Sequence, residues 1–213
     1  MLLDEILTIQ SDNTSKTEMK KSVFIAHLFK VESEDEAKLK IEEIRKEYKD
    51  ATHNVPAYRI YDTSSDMIIE RCSDDGEPSG TSGKPILDLL KHKGLLNTLI
   101  IVTRYFGGTL LGTGGLVKAY TDSAKEVLNV PYITLKRKIK YDVKTDYENF
   151  NRIKKRFEDS NFKLENINYN LDVNFELFIS GIETDRHENV LESIISEFSN
   201  NIIIKKIQTC YKD

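Results

Sequence analysis

Two cysteines, Cys72 and Cys210, are all the thiols in this chain of 213 residues. They form no C-x-x-C pair, which argues against a structural zinc site and a disulfide framework and fits a reducing cytosol. No apolar run approaches the ~18 residues needed to span a bilayer, so no membrane partner is expected. The start, MLLDEILTI, has acids at Asp4 and Glu5 and no basic stretch, so it is not expected to be a signal peptide. A basic excess is missing too. The net charge is −4, with 14 basic and 14 acidic residues from 134 onward, so the whole excess of acid lies in the first 133. A generic nucleic-acid binder carries a basic face, so RNA binding is left to local patches and no DNA partner is expected. Glycine is scarce as well: there are ten, yet Gly107, Gly108, Gly112, Gly114 and Gly115 fall in one short segment.

What is present describes a globular protein, with 39% hydrophobic and 31% charged residues. The length suits one medium domain and one small one. Ser22 to Val31 reads as a strand anchored by Val23, Ile25 and Leu28. Ser33 and Glu36 form a capping box for a helix whose inward stripe is Ala37, Ile41, Ile44 and Tyr48. Ala57 to Tyr61 and Met67 to Arg71 read as two strands joined by a polar turn. Pro85 suits the first turn of a helix ending near Gly94. Leu99 to Val102 is a continuous apolar run, as in a strand buried on both faces. An amphipathic helix with Leu116, Val117, Tyr120, Ala124, Val127 and Leu128 follows the glycines.

Pro131 interrupts regular structure, which places a domain boundary there: 1–133, then 134–213. The second part reads β-α-β-β-α-β. Ile139, Tyr141 and Val143 alternate with lysines, Asp146 caps a helix facing inward through Phe150, Ile153 and Phe157, and Phe162 to Ile179 forms a hairpin. Asp185 and Glu188 form a second capping box, before Val190, Leu191, Ile194, Ile195 and Phe198, and Ile202 to Tyr211 closes the sheet. That order suits a ferredoxin-like unit.

Familiar chemical motifs fail one by one. Gly83-Lys84 lacks both the earlier glycine and the following hydroxyl of a P-loop, because Pro78 and Pro85 stand there. Gly112-Thr113-Gly114 has Val117 where a dinucleotide fingerprint needs its third glycine. No G-x-S-x-G elbow surrounds Ser79, Thr81 or Ser82, although His53 is a candidate base. His27, His92 and His187 are scattered and read as structural or solvated. Asp74, Asp75 and Glu77 are oxygen donors suited to Mg²⁺ or Ca²⁺, against the plainer reading that they cap turns and amides. Backbone amides at the start of the helix after the glycines favour an anion. Arg104 and Tyr105 stand just before the glycines, and Lys118 is read in the helix's first turn, where a cation opposes the dipole. Arg104 and Lys118 therefore either hold a phosphate or carboxylate or pair with Asp74, Asp75 or Glu77. His53, Ser79, Thr81 and Lys84 belong to the same candidate surface for an anion or a partner, with Tyr105 and the five clustered glycines. In the second part, KRKIK (136–140) and RIKKR (152–156) are basic clusters, with Lys138, Lys140 and Lys154 as candidate RNA contacts. DVNFELFIS lacks the pattern of a base-stacking strand.

The segments DDGEPSGTSGKPIL (74–87) and VTRYFGGTLLGTGGLVKAY (102–120) resemble the signature of the IMPACT/YigZ family. KSVFIAHLFKV (21–31) and ATHNVPAYRI (51–60) are similar to the same family's amino-terminal domain. The resemblance implies an α+β, two-domain protein. Its first domain would share the βαβ-type fold of a small-subunit ribosomal protein, RNase PH and domain IV of translational GTPases, and its second would be ferredoxin-like. It implies a cytoplasmic, non-enzymatic binding protein, linked to translation or its regulation through ribosome, RNA or protein association. It supplies no catalytic residue, and no cofactor is expected. The rival reading is an enzyme acting on a phosphorylated small molecule or RNA end, with Arg104 and the glycine-loop amides on phosphate and Asp74, Asp75 or Glu77 on a metal.

Overall fold

A computed structural model describes residues 3–160, 162–180, 184–198 and 202–212, with the side chains of 184–188 undescribed. The fold is mixed α+β, and the chain divides into two compact units. One is Leu7–Thr134. The other runs from Leu135 and includes the segment up to Ile6. This departs from the expected 1–133 grouping, because strand pairing and not chain order decides where the first residues pack. The amide of Arg137 donates to the carbonyl of Asp4 at 2.8 Å, and Tyr211 donates to the carbonyl of Leu3 at 2.6 Å.

In the first unit, β2 (Asn13–Met19), β3 (Ser22–Lys30), β4 (His53–Asp62), β5 (Met67–Cys72) and β6 (Thr98–Tyr105) form an antiparallel sheet in the order β2-β3-β6-β4-β5. Neither β1 (Glu5–Ile9) nor β2 is marked by a clear alternating pattern. β2 reads NTSKTEM and takes its place through pairing with β3, with Asn13 donating to the carbonyl of Val127 in α3 at 3.0 Å and Met19 packed against the core. Three helices cover the sheet: α1 (Glu34–Glu47) on one face, α2 (Gly83–His92) and α3 (Gly112–Val127) on the other. The apolar run in β6 follows from this layering. Leu99 and Ile101 pack with Ala37, Ile41 and Ile44 of α1, while Ile100 and Val102 pack with Ile86, Leu90 and Tyr120 beneath α2 and α3. Successive strand residues face opposite ways, so a central strand covered on both sides is apolar throughout.

Ser33 caps α1 by accepting from the amide of Glu36 at 3.2 Å. The carboxylate of Glu36 reaches back to the amide of Glu32, not of Ser33, at 2.7 Å. His27 is buried against the ring of Tyr48, 4.9 Å away, with the hydroxyl of Thr103 at 3.4 Å. Burial lowers its pKa below 6.5, opposed in part by Glu47. The unfolded chain therefore takes up a proton that the folded chain refuses. This stability is complete above the unfolded pKa and is lost as pH falls from there toward the folded value. Melting temperature measured between about pH 7 and 5 should fall less steeply for His27→Gln than for the wild type. Equal slopes would assign the pH dependence to other groups.

The second unit follows the order β7 (Tyr132–Thr145), α4 (Tyr147–Asp159), β8 (Lys163–Tyr169), β9 (Val173–Ser180), α5 (Thr184–Glu197) and β10 (Ile202–Lys212). Its strands pair antiparallel as β10-β7-β9-β8, with β1 also paired to β7. Asp146 caps α4 by accepting from the amide of Asn149 at 2.7 Å. Ile139, Tyr141 and Val143 of β7 share one core with Phe150, Ile153 and Phe157 of α4 and with Leu191 and Ile194 of α5. The alternate residues of β7 therefore face away from both helices. The capping box expected at Asp185 and Glu188, and His187, lie outside the described side chains.

Candidate functional site

The first unit's site is built on one row of its sheet. Strand register sets Phe24 of β3 and His53 of β4 on either side of Arg104 of β6. All three face α2 and α3, since Arg104 has the same strand parity as Ile100 and Val102. Arg104 is only 5% exposed. Its guanidinium lies 5.6 Å from the ring centres of both Phe24 and Phe106. Its partner is Glu77, from the loop between β5 and α2, with Nη1 to Oε1 at 2.5 Å. Tyr120 of α3 donates to the same carboxylate oxygen at 2.8 Å, and His53 Nε2 stands 3.7 Å from it. His53 Nδ1 lies 2.8 Å from the carbonyl of Asp75, so that nitrogen carries the proton, because a carbonyl only accepts. Burial first, then the bond to Glu77, pushes the Tyr120 phenol far above its ordinary pKa and keeps it a neutral donor. Arg104 Nε has no hydrogen-bond partner although it is buried.

The acids are divided among separate tasks. Asp74 accepts from the amides of Gly80, Ser82 and Gly83 and from the Ser82 hydroxyl, so it caps the start of α2. Burial acts to raise its pKa, but these donors outweigh burial and hold it below the ordinary carboxylate value. Asp75 takes Arg45 and the amide of Asn54, each at 2.7 Å. Among the described residues no group of His, Cys, Asp or Glu side chains is placed to hold a metal ion. Of the two alternatives for Arg104 and Lys118, the structure shows pairing within the protein for both. Lys118 binds Asp122 at 2.7 Å, a pairing not anticipated. It is also not in the first turn of α3, as expected, because the helix already begins at Gly112.

The remaining candidates scatter. Tyr105 donates to Asp50 at 3.0 Å, Ser79 is exposed, Thr81 donates to the carbonyl of Pro78 at 2.7 Å, and Lys84 pairs with Asp88. Gly107 is where the backbone crosses the turn before β3, and Gly108 and Gly112 have positive φ. Gly114 and Gly115 lie within α3.

A cleft of about 400 Å³ opens over this row. Arg104, His53 and Glu77 line it, with apolar surface from Phe106, Leu110, Leu111 and Leu116 and the start of α3 at Gly112 and Thr113. Phe106 is 46% exposed and Leu110 82%. The N-cap of α3 is Leu111, which supplies no side-chain acceptor to the first amides. Sequence reasoning passed over Tyr120, Phe106 and Leu110. A tyrosine on a buried helical stripe was itself a signal, since its hydroxyl needs a partner.

In the second unit, Lys138 and Lys140 lie on the sheet face turned away from the helices, whereas Lys154 lies on α4. The two basic clusters therefore do not form one surface. Lys140 pairs with Glu176 at 2.5 Å and Lys154 with Glu158 at 3.7 Å.

Fold and site together define a two-unit α+β protein with a half-apolar cleft over a buried ion network. Residues 20–128 match the Impact N-terminal domain. The IMPACT family member YvyE of Bacillus subtilis is 37% identical over 201 residues, covering 93% of this chain and 89% of that protein. The family member YigZ of Escherichia coli is 37% identical over 155 residues, 71% of this chain and 74% of its own. A crystal structure of a hypothetical protein superposes with a TM-score of 0.67 at 28% identity, over 97% of this chain and 99% of that one. The chain belongs to the IMPACT family.

Proposed function

We propose that this chain is a non-enzymatic binding protein of translational control, working in the cytoplasm and docking a partner in the cleft of its first unit. The observation that carries this reading is the state of the site's charges. Glu77 is engaged by Arg104 and Tyr120, Asp74 by the amides at the start of α2, and Asp75 by Arg45. What faces the cleft beside them is apolar: Phe106, Leu110, Leu111 and Leu116. Such a cleft suits an inserted apolar side chain, with the first amides of α3 favouring a neighbouring carboxylate or phosphate-like group. Translation enters through the family resemblance, and so do the finer folds. The strand order β10-β7-β9-β8 with helices on one face suits a ferredoxin-like second unit, and the first unit is read as the fold shared with RNase PH and a small-subunit ribosomal protein.

Capture from a native lysate, with and without RNase, tests the reading. The full chain should retain ribosomal proteins or translation factors, and Leu110→Asp should retain less than about a tenth as much. Melting should be unchanged, because substitution of an exposed side chain usually alters stability by within about 0.5 kcal/mol. Turnover of a phosphorylated substrate with added Mg²⁺, and no association at low salt, would replace this reading with the enzymatic one.

A further inference from the structure

The second unit's sheet has one face packed under helices and one face that the helices leave uncovered. Register shows what the uncovered face carries. Lys136, Lys138, Lys140 and Lys144 alternate along β7 with the core residues Ile139, Tyr141 and Val143. Pairing sets Lys212 beside Lys136 and Lys205 beside Asp142, and Lys163 joins the row through Phe178. Seven lysines thus share this face with three carboxylates, Asp142, Glu165 and Glu176. A fourth acid, Asp172, approaches from the β8–β9 turn and pairs with Lys144 at 2.7 Å. The face is basic in a chain whose net charge is −4. The lysines of β7 alone form a row roughly 27 Å long, at about 3.4 Å per residue.

We propose that this face binds the backbone of duplex RNA without reading its sequence. Its cations are lysines, which meet phosphates as point charges and lack the planar fork with which arginine reads base edges. The aromatic ring on the face, Phe178, is only 5% exposed and lies beneath Lys212 at 4.0 Å, so it offers no platform for an unstacked base. Both features favour contacts to a backbone that is already shaped. Asn166, Asn168 and Asn174 line a cleft of about 310 Å³ with Lys144 and Lys205. The side-chain oxygens of these asparagines accept no bond among the described residues. An amide that both donates and accepts suits a 2′-hydroxyl, the group that separates RNA from DNA. The surface adds to the proposed reading of the first unit and does not depend on the cleft there.

Fluorescence anisotropy of the full chain with a labelled RNA duplex tests this. Arms with a second RNA sequence, the matching DNA duplex, single-stranded RNA, polyglutamate and phosphatidylserine vesicles accompany it. Affinity for both RNA duplexes should be equal within about threefold and should fall steeply between about 50 and 200 mM salt. The Lys136→Ala/Lys144→Ala/Lys205→Ala variant should lose at least about tenfold at low salt. Its slope of log affinity on log salt should be shallower by about 2 to 3, near 0.9 per phosphate contact removed. Lys154→Ala/Lys155→Ala on α4 and Leu110→Asp in the first unit should leave RNA binding unchanged. A sequence preference, equal binding of DNA, tighter binding of polyglutamate or vesicles, or an unaltered slope in the triple variant would each overturn the proposal. Loss of RNA binding by Leu110→Asp would assign it to the cleft instead.

Discussion

Glu77→Ala should destabilise the first unit by about 3–5 kcal/mol, the range for stranding one partner of a buried ion pair. Both side chains are almost fully enclosed, at 6% exposure for Arg104 and 3% for Glu77. Without Glu77, the guanidinium keeps its contacts with Phe24 and Phe106 but loses its counter-charge, and its Nε already lacks a partner. Tyr120 loses its acceptor in the same step. The expected cost therefore comes from desolvated groups left behind and not from the strength of the bridge itself. A second variant separates the two. Glu77→Leu/Arg104→Met removes both charges at similar volume and should recover most of the loss, whereas Glu77→Gln should fall between. Hydrogen exchange across α3 reads the first unit directly, since the two units need not unfold together. Loss of less than about 1 kcal/mol in Glu77→Ala would show that water reaches Arg104 and that the network is not sealed.

Gly107→Ala should fail in a different way, and Gly114→Ala should do the opposite. A Cβ on Gly107 would stand 2.0 Å from the carbonyl carbon and 2.1 Å from the oxygen of Lys21. Those are backbone atoms of the two-residue turn between β2 and β3, in which Lys20 and Lys21 both have positive φ. Such a turn has little room to yield, and the amide of Gly107 is held by the Ser22 hydroxyl at 3.1 Å. The cost should reach the upper end of the about 1–3 kcal/mol that overpacking brings, or prevent folding. At Gly114 a Cβ would meet nothing within 4 Å, and the residue sits inside α3. Alanine there should stabilise by about 0.5–1 kcal/mol. Urea denaturation of the two variants side by side checks the pair, and equal effects would refute the division of the glycine segment into these roles.

Those glycines show how much the chain disclosed in advance. Their concentration marked the segment, but density alone does not separate a backbone crossing at Gly107 from helical positions at Gly114 and Gly115. Reading Lys118 into the first turn placed the start of the helix after the glycines, whereas three of them lie in that turn. The Lys20–Lys21 turn was equally silent, because hairpin turns of this kind are usually announced by asparagine and glycine. β2 escaped for a related reason. The half-buried face of this edge strand is carried by Asn13, Ser15 and Thr17 before Met19, so it shows no alternation of apolar residues to read.

The sequence by itself determined the order of elements from β3 onward, the inward stripes of α1, α4 and β7, the caps at Ser33 and Asp146, and the family. Each of these is written in local spacing, in the period of a strand or helix or in a long motif, and local spacing survives without a fold. On β3, by contrast, it is Phe24 and Ala26, not Val23 and Ile25, that join Leu28 in the core, and Val117 of α3 is exposed. The tertiary structure decided which acid meets Arg104. Asp74, Asp75 and Glu77 are near neighbours of similar chemistry, and nothing in their order ranks them. Asp74 turns to the amides of α2, Asp75 to Arg45, and Glu77 alone turns inward to the row of Phe24, Arg104 and His53. It also decided that the lysines of β7 share a face with Lys163, Lys205 and Lys212, while Lys154 sits on a helix in the other layer. Partners separated by tens of residues are chosen by strand register and helix packing, which depend on the burial of the whole chain and not on any one segment of it.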